Sequence, residues 1–108
     1  MEADYLWDLN QQKLIWRDDQ YRMLHYRDLK GPSGQLFLAK TTADHQWIWQ
    51  ANLSEMVEHP KIKSPKLVLS TQNGQWLFVL VQDYKEHAHL ALVAMDLLTG
   101  EKVWSLKI

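Results

Sequence analysis

Short apolar segments separated by turn residues dominate the second half of the chain. Residues 75–82 hold six consecutive apolar side chains and follow the pair Asn73-Gly74. A short apolar run bounded by turn residues predicts a strand that is buried on both faces. Residues 66–71 lead into the same turn, so the two segments are predicted to form a hairpin.

Two further strands are predicted downstream, over residues 87–95 and 101–107. The turn between them, residues 96–100, begins with Asp96 and ends with Gly100. An aspartate carboxylate can accept backbone N–H groups across such a turn, and glycine can adopt a positive φ. The last part of the chain is therefore predicted to be a four-stranded antiparallel meander.

The first half shows strand patterns less clearly. Residues 5–8 and 13–17 predict a hairpin, and residues 35–41 predict a strand. Residues 21–29 fit a strand and a helix about equally. The sequence of this half therefore predicts β structure without settling every element.

Residues 42–51 fit two alternative structures. In the first, residues 45–51 form a strand, and Trp47 and Trp49 lie on one face of it because side chains alternate along a strand. In the second, a helix extends over residues 42–58. Both alternatives remain open at the level of the sequence.

A short helix is predicted near residues 53–58, because Asn52 and Glu55 fit a capping box. Together these elements predict a single domain over residues 1–108, mainly β, built as an antiparallel meander of about seven or eight strands. The alternative is an α+β fold in which the longer helix over residues 42–58 packs on a curved antiparallel sheet.

Composition and charge exclude several classes of protein. The chain has 108 residues, 12 basic and 13 acidic, for a formal net charge of −1, and it lacks the basic excess of a nucleic-acid-binding domain. It contains no cysteine, which excludes disulfides and thiolate metal sites. No apolar run approaches the roughly 20 residues of a membrane span, and no signal-peptide pattern is present. A cytoplasmic protein is expected, with neither nucleic acid nor membrane as partner.

Six tryptophans are many for a chain of this length. Trp16, Trp49 and Trp104 occupy repeated positions at the ends of predicted hairpins and are expected in the core. Exposed aromatic side chains mark interfaces or apolar clefts. The candidate ligand or interface residues are Trp47, Trp49, Trp76 and Trp7.

One hairpin carries a resemblance to a known family. An apolar strand ending in Ala94-Met95-Asp96 is followed by the turn pair Thr99-Gly100 and by a strand that ends in Trp104. With the strands before it, this hairpin makes residues 66–106 resemble one blade of a pyrroloquinoline-quinone-type, or quinoprotein-like, β-propeller repeat.

The resemblance implies a four-stranded antiparallel blade. Propellers need about four to eight such blades, so a chain of this length closes a ring only together with further copies. No quinone site is implied, because the cofactor contacts of such enzymes come from many blades, and no cofactor is expected.

Candidate catalytic and metal-ligating residues are few. His87 and His89 are two apart on a predicted strand, so both imidazoles are expected on one face, where they are weak candidates for metal ligands. The sequence offers no third ligand beside them, and no metal site is predicted. A nucleophile elbow and a phosphate-binding loop are both absent from the sequence. The basic cluster Lys61, Lys63 and Lys66 is interpreted as part of a solvated loop.

These observations favour a non-catalytic binding or protein-interaction module that associates with itself as a homo-oligomer. The alternative is a small-molecule-binding domain or small enzyme with a Trp-lined apolar pocket. The expected partners are accordingly a second copy of the chain, a small apolar ligand or another protein.

Overall fold

The computed structural model describes residues 13–28 and 35–108. The chain divides into two compact units, Met1–Asn52 and Leu53–Ile108. Each unit contains one four-stranded antiparallel sheet in which the strands follow one another in sequence order. The prediction of a mainly β antiparallel meander of about seven or eight strands with a short helix is confirmed, since the described residues form eight strands and one short helix.

The strands of the first sheet are β1 (Lys13–Arg17), β2 (Tyr21–Asp28), β3 (Gln35–Thr42) and β4 (Trp47–Asn52). The segment that fitted a strand and a helix equally is thus the strand β2. The turn before it depends on Asp18, whose carboxylate accepts the backbone N–H groups of Gln20 and Tyr21 at 2.8 and 2.6 Å. The strand predicted over residues 5–8 lies outside the described residues.

The alternative prediction of a longer helix over residues 42–58 is wrong. Trp47 and its neighbours form β4, which pairs with β3 from Phe37 and Asn52 to Thr41 and Trp47. The helix α1 is limited to Leu53–Met56. Aromatic and β-branched side chains suit a pleated surface, and the neighbouring strand β3 provides the hydrogen bonds that a helix would have made internally.

The strands of the second sheet are β5 (Pro65–Asn73), β6 (Trp76–Asp83), β7 (Leu90–Asp96) and β8 (Lys102–Lys107). Asn73 pairs with Trp76, so the first hairpin turn comprises Gly74 and Gln75, one position later than predicted. Gly74 has a φ of 64°, which a two-residue hairpin turn requires at this place.

The predicted turn after β7 is confirmed in its detail. The carboxylate of Asp96 accepts the N–H of Leu98 at 2.8 Å, and Gly100 has a φ of 77°. The N–H of Gly100 donates to the carbonyl oxygen of Asp96 at 2.8 Å. A side chain and a glycine, both visible in the sequence, therefore fix this turn.

The inner face of the second sheet is an apolar core. Its fully buried side chains alternate along β6 and β7, and they are Leu77, Val79, Val81, Ala91, Val93 and Met95. The opposite face of β6 begins with Trp76, which is 40% exposed. The prediction that β6 is buried on both faces is therefore wrong, since an antiparallel sheet can leave one face in contact with water.

Candidate functional site

An exposed apolar surface lies on the second sheet, opposite its buried core. We call this surface the outer face, and its members are Leu69, Trp76, Phe78, Leu80, Leu92, Trp104 and Leu106. The register places them together: Leu80 pairs with Leu92, which in turn pairs with Leu106 on β8. Leu69 is 52% exposed and Leu106 is 53% exposed, so the apolar surface reaches from β5 to β8.

Three aromatic side chains form a row across this face. The rings of Trp76 and Phe78 are stacked, with centroids 6.3 Å apart and an interplanar angle of 12°. The rings of Phe78 and Trp104 follow at 6.2 Å and 46°. Trp104 is 39% exposed, so its predicted place in the core is wrong. Contact between the rings restricts their rotation, which lowers the entropy lost when a partner covers them.

Two β-bulges direct side chains to this face. In β5, Leu67 pairs with Val81 whereas Leu69 pairs with Leu80, so Val68 is an extra residue between them. A shift of one residue moves every following side chain to the other face. The bulge therefore turns Leu69 toward the outer face while Leu67 remains on the inner face.

The second bulge lies in β8. Trp104 pairs with Ala94 and Lys102 pairs with Met95, so Val103 is the extra residue. Lys102 thereby shares the inner side with Met95, and its ammonium group forms an ion pair with the carboxylate of Glu58. The bulge thus separates the charged side chain from the aromatic one, and the outer face keeps only apolar groups at this strand.

The outer face offers burial of apolar area and no acid–base chemistry. Its exposed part is on the order of 500 Å², given that one aromatic side chain buries about 150–250 Å², and contiguous apolar patches of roughly 300–600 Å² on a monomer are often functional. Polar residues border it, among them Thr71, Asn73 and Asp96, which pair with or neighbour its aromatic members. An apolar centre with a polar rim is the anatomy of a protein interface.

The predicted interface tryptophans lie on different sheets. Trp76 belongs to the outer face of the second sheet, whereas Trp47 and Trp49 belong to the first. Trp47 pairs with Thr41, and Trp49 pairs with Lys40, the preceding residue of β3. Because adjacent residues of a strand point to opposite sides, Trp47 and Trp49 lie on opposite faces.

The prediction that Trp47 and Trp49 lie on one face is wrong because of a β-bulge at Ile48, which the sequence pattern did not indicate. Trp49 is 9% exposed, as expected of a core residue, and Trp47 is 40% exposed. The ring of Trp47 contacts Tyr26 edge-on, with centroids 6.3 Å apart. The remaining candidate, Trp7, lies outside the described residues.

The histidine pair is not on a strand. Since β7 begins at Leu90, both His87 and His89 precede it, and the prediction of a shared strand face is wrong. The N–H of His89 donates to the carbonyl oxygen of Glu86 at 3.0 Å, which closes a turn. The ring of His89 lies 5.4 Å from that of His59. Within residues 13–28 and 35–108, no three His, Asp or Glu side chains are grouped so that they could hold a metal ion.

No protein-family model, curated protein or solved structure matches this chain. The resemblance of residues 66–106 to a propeller blade therefore stays a prediction. In the described part of the chain, no helix combines the length and apolar character needed to cross a membrane.

Proposed function

We propose that this chain is a non-catalytic interaction module that binds a second copy of itself through the outer face of the second sheet. The observation that carries the proposal is the row of Trp76, Phe78 and Trp104, which is ordered by ring contacts and has an exposed tryptophan at each end. A cytoplasmic location belongs to the same proposal.

A second copy is the partner best matched to this surface in area. Stable interfaces bury about 800 Å² per partner, and the outer face supplies on the order of 500 Å² of that. Val68, Val103 and Ile108 are exposed beside it and extend the apolar area toward the required size.

A second copy also matches in shape and charge. Two sheets pack face to face about 10 Å apart when both present apolar side chains, and a twofold axis would bring the same face of each copy together. The net charge of −1 adds little repulsion between copies. The seven members of the outer face are apolar, and the charged side chains on the same side of the sheet, Lys66 and Asp96, lie at its edge, where they can keep their water.

The resemblance to a propeller blade supports the same partner. Repeats of this kind cannot bury their apolar faces alone and form a continuous core only by stacking on neighbours. A blade-like sheet with one apolar face exposed is what such a repeat looks like before its neighbour is added.

The test is sedimentation of the wild type and of the double variant Trp76→Ser/Trp104→Ser over a range of concentrations. The wild type is expected to form a dimer, and the double variant to dissociate at least about tenfold more readily, since buried aromatic residues dominate interface energy. Trp47→Ser is a matched control, because Trp47 is as exposed as Trp76 but lies on the first sheet.

Two results would contradict the proposal. The first is a wild type that stays monomeric at high micromolar concentration. The second is a dimer that Trp47→Ser weakens as much as the double variant does, which would place the interface on the first sheet.

A further inference from the structure

A second site of different chemistry lies in the same unit, away from the outer face. It is a pocket of about 540 Å³ between the segment before β5 and the loop that joins β6 to β7. Lys61, Lys63 and Lys85 line it, together with Ser64, Glu86 and His89. Its volume lies within the roughly 300–1,000 Å³ typical of small-molecule sites, but its lining is polar and contains no tryptophan.

Asp83, at the end of β6, holds the two walls of this pocket together. One carboxylate oxygen accepts the N–H groups of Lys63 and Ser64 at 3.0 and 3.2 Å. The other accepts those of Lys85 and Glu86 at 3.1 and 2.8 Å. One side chain therefore fixes the backbone of two segments that are distant in the sequence. Lys63 and Lys85, one from each segment, both line the pocket.

The negative charge of Asp83 is already balanced by the protein. The side chain is 5% exposed. The N–H of Glu86 contributes most to lowering its pKa to about 2, while burial acts in the opposite direction and the N–H groups of Ser64, Lys63 and Lys85 add to the lowering. A carboxylate with four donors has little capacity left for a lysine or for a ligand cation.

The lysines around the pocket have no carboxylate partner in the described part of the chain. The ion pair found there joins Lys102 to Glu58, outside the pocket. Three lysines, Lys61, Lys63 and Lys85, therefore line one cavity, and Glu86 is the one carboxylate of the lining that is not held by backbone donors.

The lysines around the pocket also affect a neighbouring histidine, His59. The pKa of His59 is lowered first by burial and then by electrostatic interaction with Lys107, His89 and Lys61, while Asp83 acts in the opposite direction. The ring of His59 also accepts the N–H of Lys61 through Nδ1 at 3.2 Å, so it stands directly behind this wall of the pocket.

We propose that this pocket binds the phosphate group of a small phosphorylated molecule, with Lys61, Lys63 and Lys85 as its cationic ligands and the hydroxyl of Ser64 as a further donor. A phosphate monoester carries a charge of about −1.5 to −2 and three acceptor oxygens, which suits three separate ammonium groups better than a carboxylate does. Lysine binds phosphate as a point charge and needs no bidentate geometry.

The pocket is matched to a small molecule rather than to a nucleic-acid backbone. No Trp, Tyr or Phe side chain lines it for base stacking, whereas proteins that bind single strands combine cations with stacking platforms. The net charge of −1 also provides no wider basic surface along which a polymer would lie.

The experiment uses the full chain and three probes, inorganic phosphate, pyrophosphate and a phosphoserine peptide, with chloride at equal ionic strength as reference. Binding is followed by the amide signals of Ser64 and His89 in two-dimensional NMR. We expect saturable shifts with pyrophosphate, and Lys63→Met/Lys85→Met is expected to weaken binding at least about tenfold, because each charge-assisted contact contributes roughly that factor.

Two further variants distinguish binding at this pocket from a general effect of the charge of the protein. Glu86→Gln removes the opposing carboxylate and is expected to tighten binding. Lys66→Met removes an exposed lysine of β5 that does not line the pocket, and it is expected to leave the affinity unchanged. Melting temperatures of all variants establish that each is folded.

Three results would overturn the proposal. One is the absence of shifts beyond those caused by chloride. Another is an equal loss of affinity in Lys66→Met and in Lys63→Met/Lys85→Met, which would indicate a general electrostatic attraction of anions and no specific binding site. The third is tighter binding of a phosphoserine peptide than of pyrophosphate, which would assign the pocket to a modified protein. None of these depends on the oligomeric state, so this inference and the proposed dimer succeed or fail separately.

Discussion

The two sheets of this chain have the same strand order, and a β-bulge interrupts the first and the fourth strand of each. The extra residues are Ile15 and Ile48 in the first sheet and Val68 and Val103 in the second. Bulges increase the local twist and re-aim the side chains that follow. Two sheets of matching order and matching irregularity nevertheless bury different kinds of side chain.

The first sheet buries polar groups among its apolar ones. Lys40 and Thr41 are both buried, and the ammonium group of Lys40 lies 4.8 Å from the centre of the Tyr21 ring. Trp16 Nε1 and Arg22 Nε are buried and have no hydrogen-bond partner among the described residues. Buried polar groups without partners are costly, so this sheet gains less from burial than its topology permits.

The second sheet separates its polar and apolar positions more completely. The core that β6 and β7 form on its inner face is apolar, although Ser70 Oγ of β5 is buried on this side without a hydrogen-bond partner among the described residues. Its charged side chains lie in the loops and near the strand ends. This separation leaves the outer face apolar as well. Two sheets of the same topology can therefore differ in where their polar side chains lie. When most polar side chains lie in the loops, as in the second sheet, one sheet face is left apolar for a partner and the loops can bind an anion.

The largest expected effect comes from placing a charge in the apolar core of the second sheet, because the first sheet already buries a charged side chain, Lys40. Leu77 is fully buried on the inner face, and Leu77→Lys puts an unpaired ammonium group into an apolar core. We expect a loss of about 3–5 kcal/mol in the free energy of unfolding, measured by urea denaturation.

The reverse change in the first sheet completes the comparison. Lys40→Met removes a buried charge and also removes a cation–π contact worth about 0.5–1 kcal/mol, so the two effects offset each other. A change below about 1 kcal/mol is expected. A loss as large as that of Leu77→Lys would show that Lys40 has a role which the contact with Tyr21 does not explain.

An effect of intermediate size, below that of Leu77→Lys, is expected at the turns, where the two sheets also differ. Among the described residues, those with a positive φ in the second sheet are glycines, whereas the one in the first sheet is His45, with a φ of 70°. Gly100→Val is expected to cost about 1–3 kcal/mol, because a β-branched side chain is strained in this conformation.

Thermal unfolding of Gly100→Val and of the control Gly74→Asn would measure this strain. Asparagine tolerates positive φ better than valine, and a Cβ at position 74 meets nothing within 4 Å, so the control is expected to change little. An unaltered melting temperature for Gly100→Val would mean that the β7–β8 turn rearranges at no cost.

The same difference at the turns explains what the sequence could predict. The second sheet was predictable because Asn73-Gly74 and Thr99-Gly100 mark its turns locally. The turn before β4 has no such mark. It contains His45, whose ring accepts a hydrogen bond from Arg22 at 2.7 Å, from 23 positions earlier in the chain. Local hydrogen bonds hold this turn as well, since the hydroxyl of Thr42 accepts the N–H of Gln46 at 3.0 Å. Threonine is also common inside strands, so neither contact marks the turn in the sequence.

The candidate surfaces were predictable only in part, for a related reason. Trp76 was identified as an interface residue, but Trp104 was expected in the core, because the bulge at Val103 that positions it leaves no signal in the apolar pattern. The cluster of Lys61 and Lys63 was visible, whereas the approach of Lys85 depends on hydrogen bonds to a single aspartate. Strand length and turn position are local properties, but which face a side chain occupies depends on pairing.

The smallest expected effect concerns the pH dependence of stability, which involves one histidine in each unit. The pKa of His59 lies below its ordinary value of 6.5, first because of burial and then because of Lys107, His89 and Lys61. The pKa of His25 is lowered from 6.5 by burial and then by Lys13 and Arg27. Both rings are therefore neutral in the folded chain at a pH where the unfolded chain binds protons.

The sign follows from this difference in proton uptake. The stability that these two neutral rings contribute is fully present above pH 6.5 and decreases as the pH falls below it, until the folded rings also take up protons.

His59→Asn keeps an acceptor for the N–H of Lys61 but removes the titrating ring. The slope of the unfolding free energy against pH between pH 7 and about pH 5 is therefore expected to become shallower. His25→Asn is the matched change in the first unit, and combining both variants should flatten the slope further than either alone. Urea denaturation at several pH values measures it. A slope that persists unaltered in the combined variant would assign the acid sensitivity to other groups, and a slope removed by one variant alone would show that the two units do not share it.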